Sequence, residues 1–197
     1  MKLFAFGDTH GNSRFMHIVV SKIKKEKPNL ILCAGDLSVF ENGLEKTLKA
    51  LDELKILTLV IHGNHESENA LGHLCSKLKH VKFFHKRGLK MGNYFFFGFG
   101  GGGFSMVDKE FERTAKKFKK TIKDEKVVLM THAPPYRTKL DRISGMHHGS
   151  KSISHFIREI KPVLVICGHL HENSGKHDRI GKTFVINPGP MGKVIKI

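Results

Sequence analysis

The chain has 197 residues, of which 40% are hydrophobic and 26% are charged. This length and composition predict one soluble domain spanning residues 1–197, and they exclude a disordered or fibrous protein. The opening apolar run is too short for a signal peptide or a membrane span, so we expect a cytoplasmic protein that makes no membrane contact. The 34 Lys and Arg against 18 Asp and Glu give a formal net charge of +16, which favours an anionic ligand. Lysine runs are usually solvated helix faces, so charge alone identifies no partner.

Short apolar runs alternate with segments of helical periodicity along the chain. The first strand is predicted at 3–6, and the first helix at about 13–27, closed by Pro28. Further strands are predicted at 30–33, 56–61, 81–84, 89–91, 94–99, 127–130, 163–166, 183–186 and 194–197. Apolar spacings of three and four predict helices around 44–51, 71–78, 111–122 and 153–160. The pattern is typical of a mixed α/β fold, with antiparallel pairing expected within 81–99.

Six potential ligand residues each come just after a predicted apolar strand. They are Asp8, Asp36, Asn64, His132, His169 and His171. Loops at the carboxyl ends of strands gather ligands in α/β sheets, so residues far apart in sequence are expected to meet there. Each has an ordinary alternative, because an Asp after a strand often caps a helix and a lone His is often structural. Their coincidence at five strand ends favours a single site.

The segments that contain these residues are Gly7-Asp8-Thr9-His10-Gly11-Asn12, Gly35-Asp36, Gly63-Asn64-His65-Glu66, Thr131-His132 and Gly168-His169-Leu170-His171. In this order they closely resemble the motifs of the calcineurin-like metallophosphoesterase superfamily, and the resemblance covers the whole chain. It implies a four-layer αββα sandwich of two mixed β-sheets flanked by helices. Within the superfamily, the chain looks like the small predicted phosphoesterases.

The resemblance also implies a centre of two divalent metal ions. Its ligands divide into two sets of three and one bridging carboxylate: Asp8, His10 and His171; Asn64, His132 and His169; and Asp36 between the sets. Mixed oxygen and nitrogen donors suit manganese, which we favour, and also iron, zinc, nickel or cobalt. On an extended segment His169 and His171 would point the same way, so that each could serve one of two adjacent ions.

Two adjacent cations would lower the pKa of a shared water to near neutrality, which makes a metal-bridging hydroxide the expected nucleophile. The resemblance assigns catalytic roles to Asp36 and His65, and His65 would stabilise the transition state or protonate the leaving oxygen. His65 and Asn64 would also contact the substrate.

Asn12 either contacts phosphate or caps the first helix, and capping is preferred. Residues 147–150 either receive an anion at a helix start or supply an N-cap.

The expected partner is a phosphoester substrate. Protein phosphatases of the superfamily carry an Asp and an Arg just after the matching Gly-Asp motif, and residues 37–43 contain neither. We favour a phosphodiester in a nucleotide or nucleic acid, because the positive charge would attract polyanions. The alternatives are a phosphomonoesterase of small molecules and a non-catalytic binding scaffold, a role that a similar fold has in a retromer subunit. The presence of all seven ligands and His65 favours an enzyme.

Overall fold

The computed structural model describes residues 1–197 and contains five α-helices, one short 3-10 helix and thirteen strands. The helices are α1 (Ser13–Glu26), α2 (Leu44–Asp52), α3 (Glu68–Ser76), α4 (Lys109–Lys119) and α5 (Lys151–Ile160). The strands are β1 (Lys2–Phe6), β2 (Leu30–Cys33), β3 (Thr58–Val60), β4 (Val81–Phe83), β5 (Arg87–Met91), β6 (Tyr94–Phe99), β7 (Lys126–Thr131), β8 (Arg142–Ile143), β9 (Met146–His147), β10 (Leu164–Ile166), β11 (His177–Ile180), β12 (Thr183–Ile186) and β13 (Lys193–Lys196).

Two large mixed sheets contain eleven of the strands. The first has the order β13-β1-β2-β3-β4, and the second has the order β11-β12-β10-β7-β6-β5. Strands β1 and β2 run parallel, with Leu3 opposite Leu30, whereas β13 is antiparallel to β1. In the second sheet β6, β7, β10 and β12 are parallel, and the two edge strands β5 and β11 are antiparallel. The parallel strands of each sheet therefore gather their carboxyl ends at one edge.

Alternate residues of the strands face different layers of the molecule. Phe4 of β1 belongs to a core shared with α1, α2 and α3, whereas Leu3 belongs to a second core between the sheets. In β6, Phe97 packs on the side of α4 and α5, and Phe96 faces the first sheet. The layers are thus three helices, two sheets and two helices. This confirms the αββα sandwich expected from the sequence.

Three strands were not predicted, namely β8, β9 and β11. Strands β8 and β9 have two residues each, and β11 buries none of its residues fully, so no apolar run marks them.

The pairing expected within 81–99 is partly wrong. Strands β5 and β6 pair antiparallel, but β4 pairs parallel with β3 in the first sheet, because the crossover helix α3 precedes it. No helix of the structure has the length and apolar character that crossing a bilayer requires.

Candidate metal centre

Five loops at one edge of the sandwich carry the predicted ligands. Three of the loops follow β1, β2 and β3 of the first sheet, and two follow β7 and β10 of the second. The structure brings together all seven predicted residues, which are Asp8, His10, Asp36, Asn64, His132, His169 and His171. Donor atoms from both sheets therefore meet at one place, as the strand-end positions predicted.

Asp8, His10 and His171 form one compact group of donor atoms. Their potential ligand atoms all lie within 4.8 Å of one another, and the Nε2 atoms of the two histidines are 2.8 Å apart. Oδ1 of Asp8 accepts the backbone amide of His169 at 3.1 Å, whereas its buried Oδ2 has no hydrogen-bond partner. Burial raises the pKa of the Asp8 carboxyl above its usual value. This trio is the one that the family resemblance assigns to the first ion.

Asp36 lies in the middle of the site, where only 1% of its surface is exposed. Its Oδ1 accepts the backbone amides of Asn64 and His65 at 2.9 and 3.0 Å. Its Oδ2 lies 3.4 Å from Nε2 of His132 and 3.8 Å from Nε2 of His10. Burial alone raises the pKa of Asp36, but the hydrogen bonds and the neighbouring imidazoles hold it well below its usual range. The residue therefore presents a carboxylate oxygen to members of both predicted ligand sets.

Asn64 connects the two remaining histidines. Its Oδ1 lies 3.0 Å from Nε2 of His132 and 2.9 Å from Nδ1 of His169. Nδ1 of His132 donates to the carbonyl oxygen of Ala34 at 2.8 Å, which orients the ring and directs Nε2 into the site. Burial alone lowers the pKa of His132, yet the adjacent Asp36 raises it to about 9. Burial lowers the pKa of His169 to about 4, so this imidazole is neutral at pH 7.

This set of donors fits divalent cations. Buried polar atoms normally have a partner, yet Oδ2 of Asp8 and Nε2 of His169 have none within the protein. A cation bound by each of the two predicted ligand sets would satisfy both atoms. Carboxylate, amide and imidazole donors without a thiolate form a shell suited to first-row divalent metals. A second group of donor atoms within 4.8 Å of one another, from Asp8, Asp36 and His132, adjoins the first and shares Asp8 with it.

Four of the predicted ligands have a left-handed backbone. Asp8, His10, Asp36 and His169 have φ angles of 57°, 47°, 52° and 73°. Residues other than glycine rarely adopt such angles, and the strain persists where surrounding contacts fix it, often at functional sites. The geometry also corrects one expectation, because His169 and His171 do not lie on an extended segment. The chain turns at His169, and His171 begins the short 3-10 helix.

Two glycines leave space for the aspartates of the site. A Cβ atom on Gly63 would lie 1.9 Å from Oδ1 of Asp36, and one on Gly168 would lie 2.8 Å from Oδ2 of Asp8. Neither contact is possible without displacing the carboxylate. Gly63 and Gly168 therefore stand where any side chain would obstruct these carboxylates.

His65 lies beside the cluster, on the side of His10. The centroids of their rings are 4.8 Å apart, and the ring of Phe40 lies 5.0 Å from His65 on another side. A ring nitrogen of His65 lies within 4.8 Å of donor atoms of His10 and Asp36, and its buried Nδ1 has no partner. His65 therefore lies next to the candidate ligands, and its contact with the substrate stays a prediction.

Glu66 was not predicted to have a role. Its buried carboxylate accepts the amides of Asp36 and Gly63 through Oε2, each at 3.1 Å. Through Oε1 it accepts the amide and the hydroxyl of Ser38, each at 2.8 Å. These four bonds tie the loop after β2 to the loop after β3. The only sequence signal was its place directly after a predicted ligand and the predicted acid.

Asn12 and Ser150, for which the sequence left capping and anion binding as alternatives, each act as the N-cap of a helix. The side chain of Asn12 accepts two amides of the first turn of α1, as preferred, and Ser150 accepts an amide of the first turn of α5. The segment before Ser150 is organised by Asp141, which is fully buried. Its carboxylate accepts Nδ1 of His147 at 2.7 Å and the amide of Gly149 at 3.0 Å. No sequence signal identified Asp141.

A separate group of potential ligands comprises His62, Glu68 and His85. Nδ1 of His85 accepts the amide of Gly100 at 2.8 Å. A neutral imidazole that accepts at Nδ1 carries its hydrogen on Nε2, which then has no lone pair for a cation. The carbonyl oxygen of His62 accepts the amide of Gly101 at 3.0 Å. These two histidines therefore anchor the glycine-rich loop that follows β6, residues 100–103.

Comparisons with known proteins identify the fold and the family of this chain. A family model described as calcineurin-like phosphoesterase matches residues 1–173. An uncharacterized protein of Methanocaldococcus jannaschii is 31% identical to this chain, covering 96% of this chain and 88% of that protein. The crystal structure of TT1561 of Thermus thermophilus has a TM-score of 0.78 at 17% identity, covering 96% of this chain and 89% of that chain. An archaeal phosphodiesterase has a TM-score of 0.57 at 17% identity, covering 96% and 84%. The structural likenesses show a shared fold, and the family match shows that this chain belongs to the calcineurin-like phosphoesterases, metal-dependent hydrolases of phosphate esters.

Proposed function

We propose that this chain hydrolyses phosphate esters with the help of two divalent ions, and that it prefers phosphodiesters of nucleotides or nucleic acid. The observation that supports the two-ion centre is the position of Asp36. Its Oδ2 faces His10, from one predicted ligand set, and His132, from the other. A carboxylate in this position can be shared by two adjacent ions.

The proposed ligands keep the division that the family resemblance implies. One ion would be held by Asp8, His10 and His171, the other by Asn64, His132 and His169, and both by Asp36. Manganese is the preferred ion, and iron, zinc, nickel and cobalt suit the same donors. When bound, such a pair lowers the pKa of a coordinated water and stabilises the charge that develops on phosphate.

The protein's own residues orient the site and move a proton. The Ala34 carbonyl fixes the ring of His132, and Asp36 fixes the backbone of His65 through a hydrogen bond of 3.0 Å. In the proposal, His65 donates a proton to the leaving oxygen, and together with Asn64 it contacts the phosphate. Its location supports this role, because a ring nitrogen of His65 lies within 4.8 Å of donor atoms of His10 and Asp36 and the exposed Phe40 lies beside it.

The preference for diesters rests on the positive charge, and the residues of the loop after β2 argue only against a phosphoprotein substrate. A formal net charge of +16 favours polyanionic substrates, and residues 37–43 contain no Asp or Arg of the protein-phosphatase type. The alternative is a phosphomonoesterase of small molecules. A non-catalytic scaffold is disfavoured, because the complete set of ligands and His65 converges in the structure.

The proposal is tested by a panel of metals and substrates. Protein stripped with EDTA is reloaded separately with manganese, iron(II), zinc, nickel or cobalt, and assayed on bis-p-nitrophenyl phosphate, p-nitrophenyl phosphate, and single-stranded DNA and RNA at two salt concentrations. We expect the highest activity with manganese, faster hydrolysis of the diester than of the monoester, and nucleic acid cleavage that falls with salt. Faster hydrolysis of the monoester would overturn the diester preference.

A further inference from the structure

Two phenylalanines beside the candidate metal centre are unusually exposed. Phe40 is 79% exposed and Phe104 is 60% exposed, although large aromatic side chains are normally buried. Phe40 lies on the loop between β2 and α2, and Phe104 lies on the loop between β6 and α4. One ring therefore comes from the side of the first sheet and the other from the side of the second. An apolar surface that flanks a site is a candidate for substrate contact.

The backbone around Phe40 is held in a strained turn. Phe40 and Glu41 have φ angles of 47° and 67°, and Val39 and Asn42 pair across the turn. A bulky residue rarely adopts such an angle, so the surroundings must fix it. The carboxylate of Glu41 does so by accepting the amide and the hydroxyl of Ser67 at 3.0 and 2.7 Å. The turn presents the ring of Phe40 at 5.0 Å from that of His65.

Phe104 is presented by the glycine-rich loop. The loop is anchored by its two hydrogen bonds to His85 and His62 at Gly100 and Gly101. The ring of Phe104 lies 4.6 Å from that of His169 and 6.1 Å from that of His148. It therefore contacts a residue of the second predicted ligand set, whereas Phe40 contacts the proposed acid. The two rings mark separate parts of the rim of the site.

We propose that Phe40 and Phe104 each stack on a nucleobase, so that the substrate is a phosphodiester with a base on either side of the scissile phosphate. This inference rests on the proposed phosphodiesterase function and names its substrate class. Aromatic side chains stack on the planar face of any base, and this contact is tolerant of sequence. The net charge of +16 fits the charged backbone of a dinucleotide or a short single strand. Two separate planar rings on different loops suit two bases better than they suit one continuous acyl chain.

The test compares a dinucleoside phosphate with its abasic counterpart, in which both bases are replaced by hydrogen. The manganese-loaded protein is expected to prefer the dinucleoside phosphate in kcat/KM. Phe40→Leu and Phe104→Leu, which keep an apolar side chain but remove the ring, should each reduce this preference about fivefold or more. Phe40→Tyr and Phe104→Tyr should retain it. Val163→Ala is the matched control and should leave the preference unchanged. Val163 is an exposed apolar residue directly before β10, at the end of the strand that lies away from the candidate site.

A second readout does not depend on turnover. A 2-aminopurine dinucleotide with a methylenephosphonate linkage, which resists hydrolysis, should lose fluorescence on binding to the wild type because the base stacks, and lose less on binding to the leucine variants. An unchanged preference and unchanged quenching in folded leucine variants that still hydrolyse bis-p-nitrophenyl phosphate would overturn the stacking inference alone. Faster hydrolysis of an acyl-bearing phosphodiester than of the dinucleoside phosphate would also overturn it. Absence of diester hydrolysis with every metal would overturn the proposed function and the inference together.

Discussion

The carboxylate of Asp36 accepts the backbone amide of His65 at 3.0 Å, so the residue proposed to bridge the ions also positions the proposed acid. The same oxygen accepts the amide of Asn64, while the second oxygen faces the histidines of both ligand sets. The Asp36 side chain therefore affects both the arrangement of the predicted ligands and the position of His65, the proposed acid. Substitutions at the two residues should nevertheless have different effects.

Asp36→Ala should lose bound metal and activity, because it removes the carboxylate between the two donor sets. Metal content after dialysis, measured by inductively coupled plasma mass spectrometry, should fall well below that of the wild type. Asp36→Asn retains an oxygen that can accept the two amides but lacks the negative charge, so it should fold and still bind metal weakly. Asp124→Ala, at an exposed position, should behave as the wild type. Full metal content in Asp36→Ala would contradict the bridging role.

His65→Ala should keep its metal and lose turnover. Removing a general acid typically lowers kcat by about 10²- to 10⁴-fold. Steady-state kinetics on bis-p-nitrophenyl phosphate, together with metal analysis of the same sample, separates this outcome from loss of the ions. The exposed His73 of α3 offers a matched His→Ala control, which should have wild-type kcat. If His65→Ala instead releases metal in proportion to its loss of activity, His65 is a ligand and not the acid.

Glu66→Gln should destabilise the fold around the site. The carboxylate accepts four hydrogen bonds, and the amide group of glutamine would place a donor against at least one of these donors. Hydrogen bonds to a charged group suggest a loss of about 2 kcal/mol in the free energy of unfolding, which lowers Tm by roughly 4–8 °C in a domain of this size. Thermal unfolding by circular dichroism measures the change. Glu45→Gln, at a surface pair with Lys49, should shift Tm little, and an equal shift in both variants would refute the role of Glu66.

Gly63→Ala should impair metal binding and catalysis. The new methyl group would occupy the place of Oδ1 of Asp36, which must then move. Displacement of a catalytic group by about 1 Å can reduce the rate by roughly 10²-fold. Gly72→Ala in α3 is the matched control, because its Cβ would make only ordinary contacts, with Phe83. That control should gain up to about 1 kcal/mol of helix stability and keep full activity. Wild-type kcat/KM in Gly63→Ala would show that Asp36 is free to move.

The fold and the set of candidate ligands were predictable from the sequence because both follow from local patterns. Apolar runs such as 94–99 become strands wherever they are buried, and polar residues directly after them must lie at the edge of the sheet. The division of strands between two sheets was less predictable. The pairing of β4 with β3 depends on the path of α3, which the apolar pattern of residues 81–84 does not encode.

The supporting residues of the site were not predictable for a different reason. Glu66 is a hydrogen-bond acceptor for two loops that become neighbours only after the first sheet forms. The role suggested for Phe40 depends on a left-handed backbone that its residue type disfavours. The turn at His169 likewise departs from the extended conformation expected for a short segment after a strand. In each case tertiary contacts override the local preference.

The hydrogen bond from His132 to the carbonyl oxygen of Ala34 joins the loop after β7 in the second sheet to the end of β2 in the first. The candidate ligands likewise come from both sheets, so the site is complete only when the two sheets are packed at their native separation. Any ion that binds there holds the halves of the sandwich together, and mass action then makes the unfolding free energy rise with the concentration of free metal. Side chains of the core between the sheets, such as Met130, therefore set the spacing of the ligands without touching them. The concentration of free metal and the packing of the core between the sheets therefore both affect the folding equilibrium of the protein.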